Sequence, residues 1–192
     1  MAPSTKDTWR AQFRAFRQSL APCAYRARSS LIDQRVLALP EVAAAEVIHV
    51  YWALHDRGEV DTRLIIAALR QKDVDVVLPV VTSFDPASPT LEHRRYEGAA
   101  QLKTNRWGLR EPVGTERVSP ETLDAVLVPA LGADRNGNRI GQGSGYYDAF
   151  LSSVTCPRIA LVYEDCLVPS LPAAPHDVPM TILVTEQNVI TP

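Results

Sequence analysis

Ala125-Val-Leu-Val-Pro-Ala130, followed by Asp134-Arg-Asn-Gly-Asn-Arg-Ile-Gly-Gln-Gly-Ser-Gly-Tyr-Tyr-Asp148, is the stretch around which the chain is organised. The first run is short, apolar and β-branched, the pattern of a strand buried on both faces. Four of the nine glycines, Gly137, Gly141, Gly143 and Gly145, fall in the second. Next, Tyr147-Asp-Ala-Phe-Leu151 can open a helix with a carboxylate in its first turn. Strand, glycine loop and helix gather main-chain N–H groups where a phosphate can be held. Glycines at alternate positions let the backbone approach an anion where a Cβ would clash. The spacing by itself also fits a plain βα turn. Arg139 before the glycines, and two tyrosines and an aspartate after them, are features a plain turn does not need.

Working outward, the 192 residues suit a single domain, 1–192, able to bury about 70% of its unfolded-chain surface. A hydrophobic share of 46% and a charged share of 22% are those of an ordinary globular protein. A formal net charge of −2 leaves no global basic field for nucleic acid. No apolar run approaches the roughly 18 residues of a membrane span. The opening Met-Ala-Pro-Ser-Thr-Lys lacks the apolar core of a secretory signal. Cys23, Cys156 and Cys166 are odd in number and widely spaced. They argue against a disulfide framework or a zinc site and for a reducing cytoplasm.

Lys6 to Leu20 reads as a helix. At about 100° per residue, Trp9, Phe13, Phe16 and Leu20 form one apolar stripe, and Lys6, Arg10, Arg14 and Arg17 a basic one beside it. That basic stripe is either a solvated face with snorkelling stems or a flank turned towards phosphate. Pro22 suits the first turn of a second helix ending near Leu39. Strands are expected over Ala45–Leu54, Val74–Val81, Leu123–Pro129, Arg158–Tyr163 and Met180–Val184, with Leu91–Tyr96 as a charged edge strand. A helix over Leu64–Leu69 takes Asp61 or Thr62 as its cap. Residues 82–90 read as a loop, Lys103–Pro112 as irregular, and Pro169–Pro179 as a proline-rich excursion. His49, His55 and His93 read as packed or exposed residues rather than ligands. The alternation predicts an α/β, Rossmann-like three-layer domain, its mainly parallel, mixed sheet flanked by helices. Strand-end loops near Glu59, Trp107 and Gly141–Asp148 then converge on one cleft.

Several segments in order resemble the 5-formyltetrahydrofolate cyclo-ligases (methenyltetrahydrofolate synthetases). They are Lys6-x-x-x-Arg10, Gly58-Glu-Val-Asp-Thr62, Trp107-Gly-Leu-Arg-Glu-Pro112, Val128 to Asp134, Gly137 to Asp148, and His176-Asp177 followed by Thr185-Glu186. The resemblance implies an ATP- and Mg2+-dependent conversion of 5-formyltetrahydrofolate to 5,10-methenyltetrahydrofolate through a phosphorylated formyl group, in a cytoplasmic monomer. By the same resemblance Lys6, Arg10, Arg139, Ile140, Gly141, Gln142, Gly143, Ser144, Gly145, Tyr146 and Tyr147 hold ATP. Leu54, Glu59, Trp107 and Gln142 to Tyr146 line the folate side. Arg139, Gln142 and Tyr146 are the implied catalytic residues, and Asp148 and Asp177 the implied magnesium ligands. One departure stands out: the family reads Gly-Arg-Gly where this chain has Gly141-Gln142-Gly143. A mobile arginine at a transferring phosphoryl group is worth roughly 10³–10⁵ in rate, so the alternative is a folate- or nucleotide-binding homologue without turnover. A sugar-phosphate or acyl-transfer enzyme on a similar scaffold would rest on fold analogy alone.

Overall fold

The computed structural model describes residues 5–85 and 88–192. Most of the opening hexapeptide and the middle of the 82–90 loop lie outside the described residues. The helices are α1 (Lys6–Ser19), α2 (Pro22–Leu37), α3 (Pro40–Ala43), α4 (Arg63–Gln71) and α5 (Tyr146–Leu151). The strands are β1 (Val47–His49), β2 (Asp75–Ser83), β3 (Thr90–Arg95), β4 (Leu102–Thr104), β5 (Arg110–Pro112), β6 (Ala125–Pro129), β7 (Gly132–Asp134), β8 (Arg139–Ile140), β9 (Arg158–Leu161), β10 (Leu167–Val168), β11 (Ile182–Val184) and β12 (Val189–Ile190).

Among the described residues, seven strands form one sheet in the order β12-β11-β9-β6-β1-β2-β3. The five inner strands are parallel, and β3 and β12 close the edges antiparallel. Val126, Leu127 and Val128 of the central strand are fully buried, as a strand covered on both faces requires. The helices flank this sheet: α4 packs on α2 and β2, α2 also on β11, and α5 on β3. Charge marks the β3 edge as expected, since Arg94 and Arg95 are bound to Glu92, Asp75 and Glu116.

Several expectations need correction. The strand read over Ala45–Leu54 stops at His49; one further bond, Val50 N–H to Val77 O at 2.8 Å, precedes the turn towards the site. Met180–Val184 narrows to β11 and is not the last strand, because β12 folds back on it. Lys103–Pro112 is not irregular: β4 and β5 form a hairpin across the Asn105–Gly108 turn. Both of its arms, three residues each, are too short to carry a period. Neither candidate cap of α4 acts alone. Thr62 occupies the cap position but gives its hydroxyl to Tyr51 O, while Asp61 Oδ1 accepts the Arg63 N–H.

The largest correction concerns the organising stretch. A β7–β8 hairpin stands between β6 and the glycine loop, extended by β10 into a second, three-stranded sheet. Asp134, fully buried, ties it down by accepting N–H bonds from Asn136, Asn138 and Leu171. The loop is therefore carried on a hairpin.

Candidate active site

The glycine loop runs from Gly141 to Gly145 between β8 and α5, with Gly143 and Gly145 at φ 105° and 73°. Those values are open to glycine and costly for other residues. Arg139 and Ile140 belong to β8, so the loop proper starts two residues later than its nucleotide-binding span was drawn. The main-chain N–H groups of residues 141–148 make no hydrogen bond within the described residues. Because α5 has only six residues, its dipole adds little to the field; the anion-attracting power lies in the loop amides and the surrounding cations.

Those cations come from α1 and β8. Lys6 is ion-paired with Asp177, donating to Oδ1 at 2.6 Å and also to Oδ2. Arg10 donates from Nε to Gly141 O at 3.1 Å and from Nη1 to Asp7 Oδ1 at 2.5 Å. Arg14 meets Gln142. Arg139, buried at 8% exposure, bonds Asp148 Oδ1 at 2.8 Å while its Nε finds no partner. Burial lowers the Arg139 pKa, and Asp148 partly restores it. The basic stripe of α1 thus faces the glycine loop rather than open water. Arg17 leaves that stripe: it is 4% exposed and bonded to the Ala130 carbonyl. Helical spacing could not separate it from the other three.

The other groups at the site bring a different chemistry. Glu59 accepts the Leu54 N–H at 3.0 Å, and burial raises its pKa against the pull of that bond and of Arg17, Arg57 and Gln142. Trp107, 39% exposed, stands edge-on to Phe84 at 4.3 Å and to Tyr146 at 6.1 Å between ring centroids. Tyr146 gives its hydroxyl to Ser83 O at 2.7 Å, which fixes the ring as a wall. The Tyr147 hydroxyl is buried without a partner among the described residues, and burial pushes its pKa far up.

One cavity of about 640 Å³ brings these chemistries together. Its lining includes Lys6, Arg10, Leu54, Glu59, Trp107, all of Arg139 to Asp148, and Asp177. Every residue to which the resemblance assigned a site role therefore lines this one cavity. The cavity also collects Arg17, from the basic stripe of α1, and Tyr51, Arg57, Arg110 and Glu111, which the sequence reading assigned no role there. Glu111 sits in the Trp107–Pro112 motif, but only the β4–β5 hairpin shows that it reaches Val81 N–H, at 2.9 Å.

Among the described residues no cluster of three or more His, Cys, Asp or Glu side chains could cage a metal. Mg2+ does not need one, since it takes one or two carboxylates and otherwise water or phosphate oxygens. Asp148 fits that demand: one oxygen holds Arg139 and the other has no partner within the described residues. Asp177 has both oxygens engaged, by Lys6 and by the Ala174 N–H, and would have to release one.

No helix among the described residues is long and apolar enough to cross a membrane. The model of the 5-formyltetrahydrofolate cyclo-ligase family matches residues 2–186. A 5-formyltetrahydrofolate cyclo-ligase of Haemophilus influenzae is 30% identical over 176 residues, covering 89% of this chain and 92% of that one. The solution structure of Aquifex aeolicus 5,10-methenyltetrahydrofolate synthetase superimposes with a TM-score of 0.84 at 29% identity, covering 97% of this chain and 92% of that one. A Mycoplasma pneumoniae 5,10-methenyltetrahydrofolate synthetase shares the fold, with a TM-score of 0.76 at 22% identity over 94% of this chain and 98% of that one.

Proposed function

The chain belongs to the 5-formyltetrahydrofolate cyclo-ligase family of enzymes, and on that premise we propose that it converts 5-formyltetrahydrofolate to 5,10-methenyltetrahydrofolate using ATP and Mg2+, with release of ADP and phosphate. The observation that carries this reading is the single cavity. Loop amides that are unbonded within the described residues, three cations, the Glu59 carboxylate and an aromatic wall all line it.

Phosphoryl transfer asks a protein for alignment and charge stabilisation more than for covalent chemistry. The loop amides, Lys6, Arg10 and Arg139 receive the triphosphate. Arg10 is the readiest cation, because its carboxylate partner Asp7 is 89% exposed and such pairs hold weakly. Lys6 and Arg139 exchange part of their pairing with Asp177 and Asp148 for phosphate oxygens. Asp148, with or without Asp177, would hold Mg2+, which would supply charge neutralisation at the phosphate groups. Glu59 accepts the amide and amino hydrogens of the pterin, and Trp107 covers its face. The formyl oxygen attacks the γ-phosphorus as the bond to ADP breaks. The anilino nitrogen then adds to the formyl carbon, and phosphate departs with the former formyl oxygen. Tyr146, its hydroxyl committed to Ser83, serves as a wall of this pocket. The setting we propose is a cytoplasmic monomer.

Purified protein given Mg-ATP and 5-formyltetrahydrofolate is expected to develop the ultraviolet absorbance of the methenyl product. A second reading is favoured by Gln142, which carries no charge where the family has arginine. In that case calorimetry shows both ligands bound with no product formed, and Gln142→Arg restores turnover.

A further inference from the structure

Gln142 is exposed at the tip of the glycine loop, and α1 grips it. Arg14 reaches Gln142 Oε1 from Nε at 3.3 Å and from Nη2 at 2.9 Å, and Nη2 also donates to the Gln142 carbonyl at 3.2 Å. One turn earlier, Arg10 donates to Gly141 O, and its guanidinium carbon lies 3.3 Å from where a Cβ on Gly143 would stand. Three consecutive loop residues are thus held against one helix face. A guanidinium can only donate, so the Gln142 amide atom facing Arg14 has to be the oxygen. The NH2 group is then directed away from α1. Glu59 lines the same cavity as Gln142, and its carboxyl feels the Gln142 side chain as a hydrogen-bonding neighbour.

We propose that Arg14 is a positioning residue of this site. Its forked contact with Gln142 fixes the amide so that the NH2 group faces Glu59 and the cavity, and keeps the glycine loop closed on α1. Arg14 does not line the cavity itself; it acts through Gln142. The fork is essential to the argument, because one planar group holds a side-chain and a main-chain oxygen of the same residue. A lysine offers a point charge and cannot reproduce that hold. Being exposed, the contact adds little to global stability, so its effect belongs in binding and turnover and not in melting temperature.

This inference rests on the folate and nucleotide reading of the cavity, and the test separates the two. Calorimetry first establishes that the wild-type protein binds Mg-ATP and 5-formyltetrahydrofolate; if it binds neither, that reading fails, and this one with it, before any variant is made. Given binding, Arg14→Ala is expected to weaken folate affinity, and kcat/KM where turnover is seen, by about tenfold, with the melting temperature unchanged. Arg14→Lys is expected to remain well below wild type. In a Gln142→Ala background the same Arg14→Ala change should cost distinctly less, because only the contact with the main-chain carbonyl is left to lose. Wild-type behaviour of Arg14→Ala, equal losses in both backgrounds, or full rescue by lysine would overturn the proposal.

Discussion

The ring of Phe13 fills the space that a side chain on residue 132 would need: a Cβ built on Gly132 stands 2.3 Å from its Cε2 atom. Gly132 has no positive φ, so close approach is what demands glycine here. Phe13 is 1% exposed and stacks on Trp9 at 5.2 Å. The contact sets how α1 sits on the β7–β8 hairpin, and therefore where Lys6, Arg10 and Arg14 reach. Gly132→Ala is expected to cost roughly 1–3 kcal/mol, the usual penalty of overpacking. The loss should shrink when Phe13→Leu is added, as read by urea unfolding of the four variants. Strict additivity would show that the two residues do not compete for the same volume.

Glu59 bears on one of the two proposed substrates. It lines the cavity, and its carboxylate already accepts the Leu54 N–H. Glu59→Gln keeps the shape but turns half of an acceptor pair into a donor. A charged hydrogen bond lost in a desolvated pocket costs about 1.5–3 kcal/mol. The folate KM should therefore rise roughly tenfold to a hundredfold, with the ATP KM nearly unchanged. If the ATP KM rises equally, Glu59 is not the pterin acceptor.

The Arg139–Asp148 pair at 2.8 Å makes a prediction about metal dependence. Asp148→Asn removes the candidate metal-binding charge and at the same time frees Arg139 for phosphate. Affinity for ATP in the presence of magnesium is expected to fall at least several-fold, while affinity for metal-free ATP holds or improves. Calorimetric titrations with magnesium and with EDTA read the difference. Equal losses in both would mean that Asp148 serves only to orient Arg139.

The sequence shows some of this arrangement and hides the rest for identifiable reasons. Lys6, Arg10 and Arg14 recur every four residues, so α1 presents them on one side, and the buried β6 run locates the centre of the sheet. Arg17, three residues on, falls in the same stripe yet is buried, because the Ala130 carbonyl that receives it comes from 113 positions further on. Strands of two or three residues such as β7, β8 and β10 have no room for a period, and β10 pairs with β7 only after a long excursion. The buried acceptor role of Asp134 depends on Leu171, which no local pattern announces. Strand-end loops placed Glu59 and Trp107 near the cleft, but only motif resemblance gave them a folate role, since each by itself also reads as an ordinary loop or packing residue.

Asp33 gives a prediction that is independent of the chemistry. On α2 it is 4% exposed, and neither carboxyl oxygen has a partner within the described residues. Burial, with Asp61 nearby, pushes its pKa up to about 7 from 3.8. Below pH 3.8 the group is protonated in both the folded and the unfolded chain, and contributes no difference. Between 3.8 and about 7 the unfolded chain ionises while the folded one stays neutral, so stability is lost as pH rises, and above that window the deficit is constant. Asp33→Asn is neutral at every pH. It should therefore match wild type near pH 4 and exceed it at pH 8, by roughly 2–4 kcal/mol. His49 and His93 act in the opposite direction. Burial lowers both, His93 to about 4, so their cost grows as pH falls from 6.5. Because both histidines are present in wild type and variant alike, the difference between the two urea-unfolding curves at pH 4, 6 and 8 isolates Asp33. A difference that does not change with pH would mean the carboxyl is already ionised in the fold.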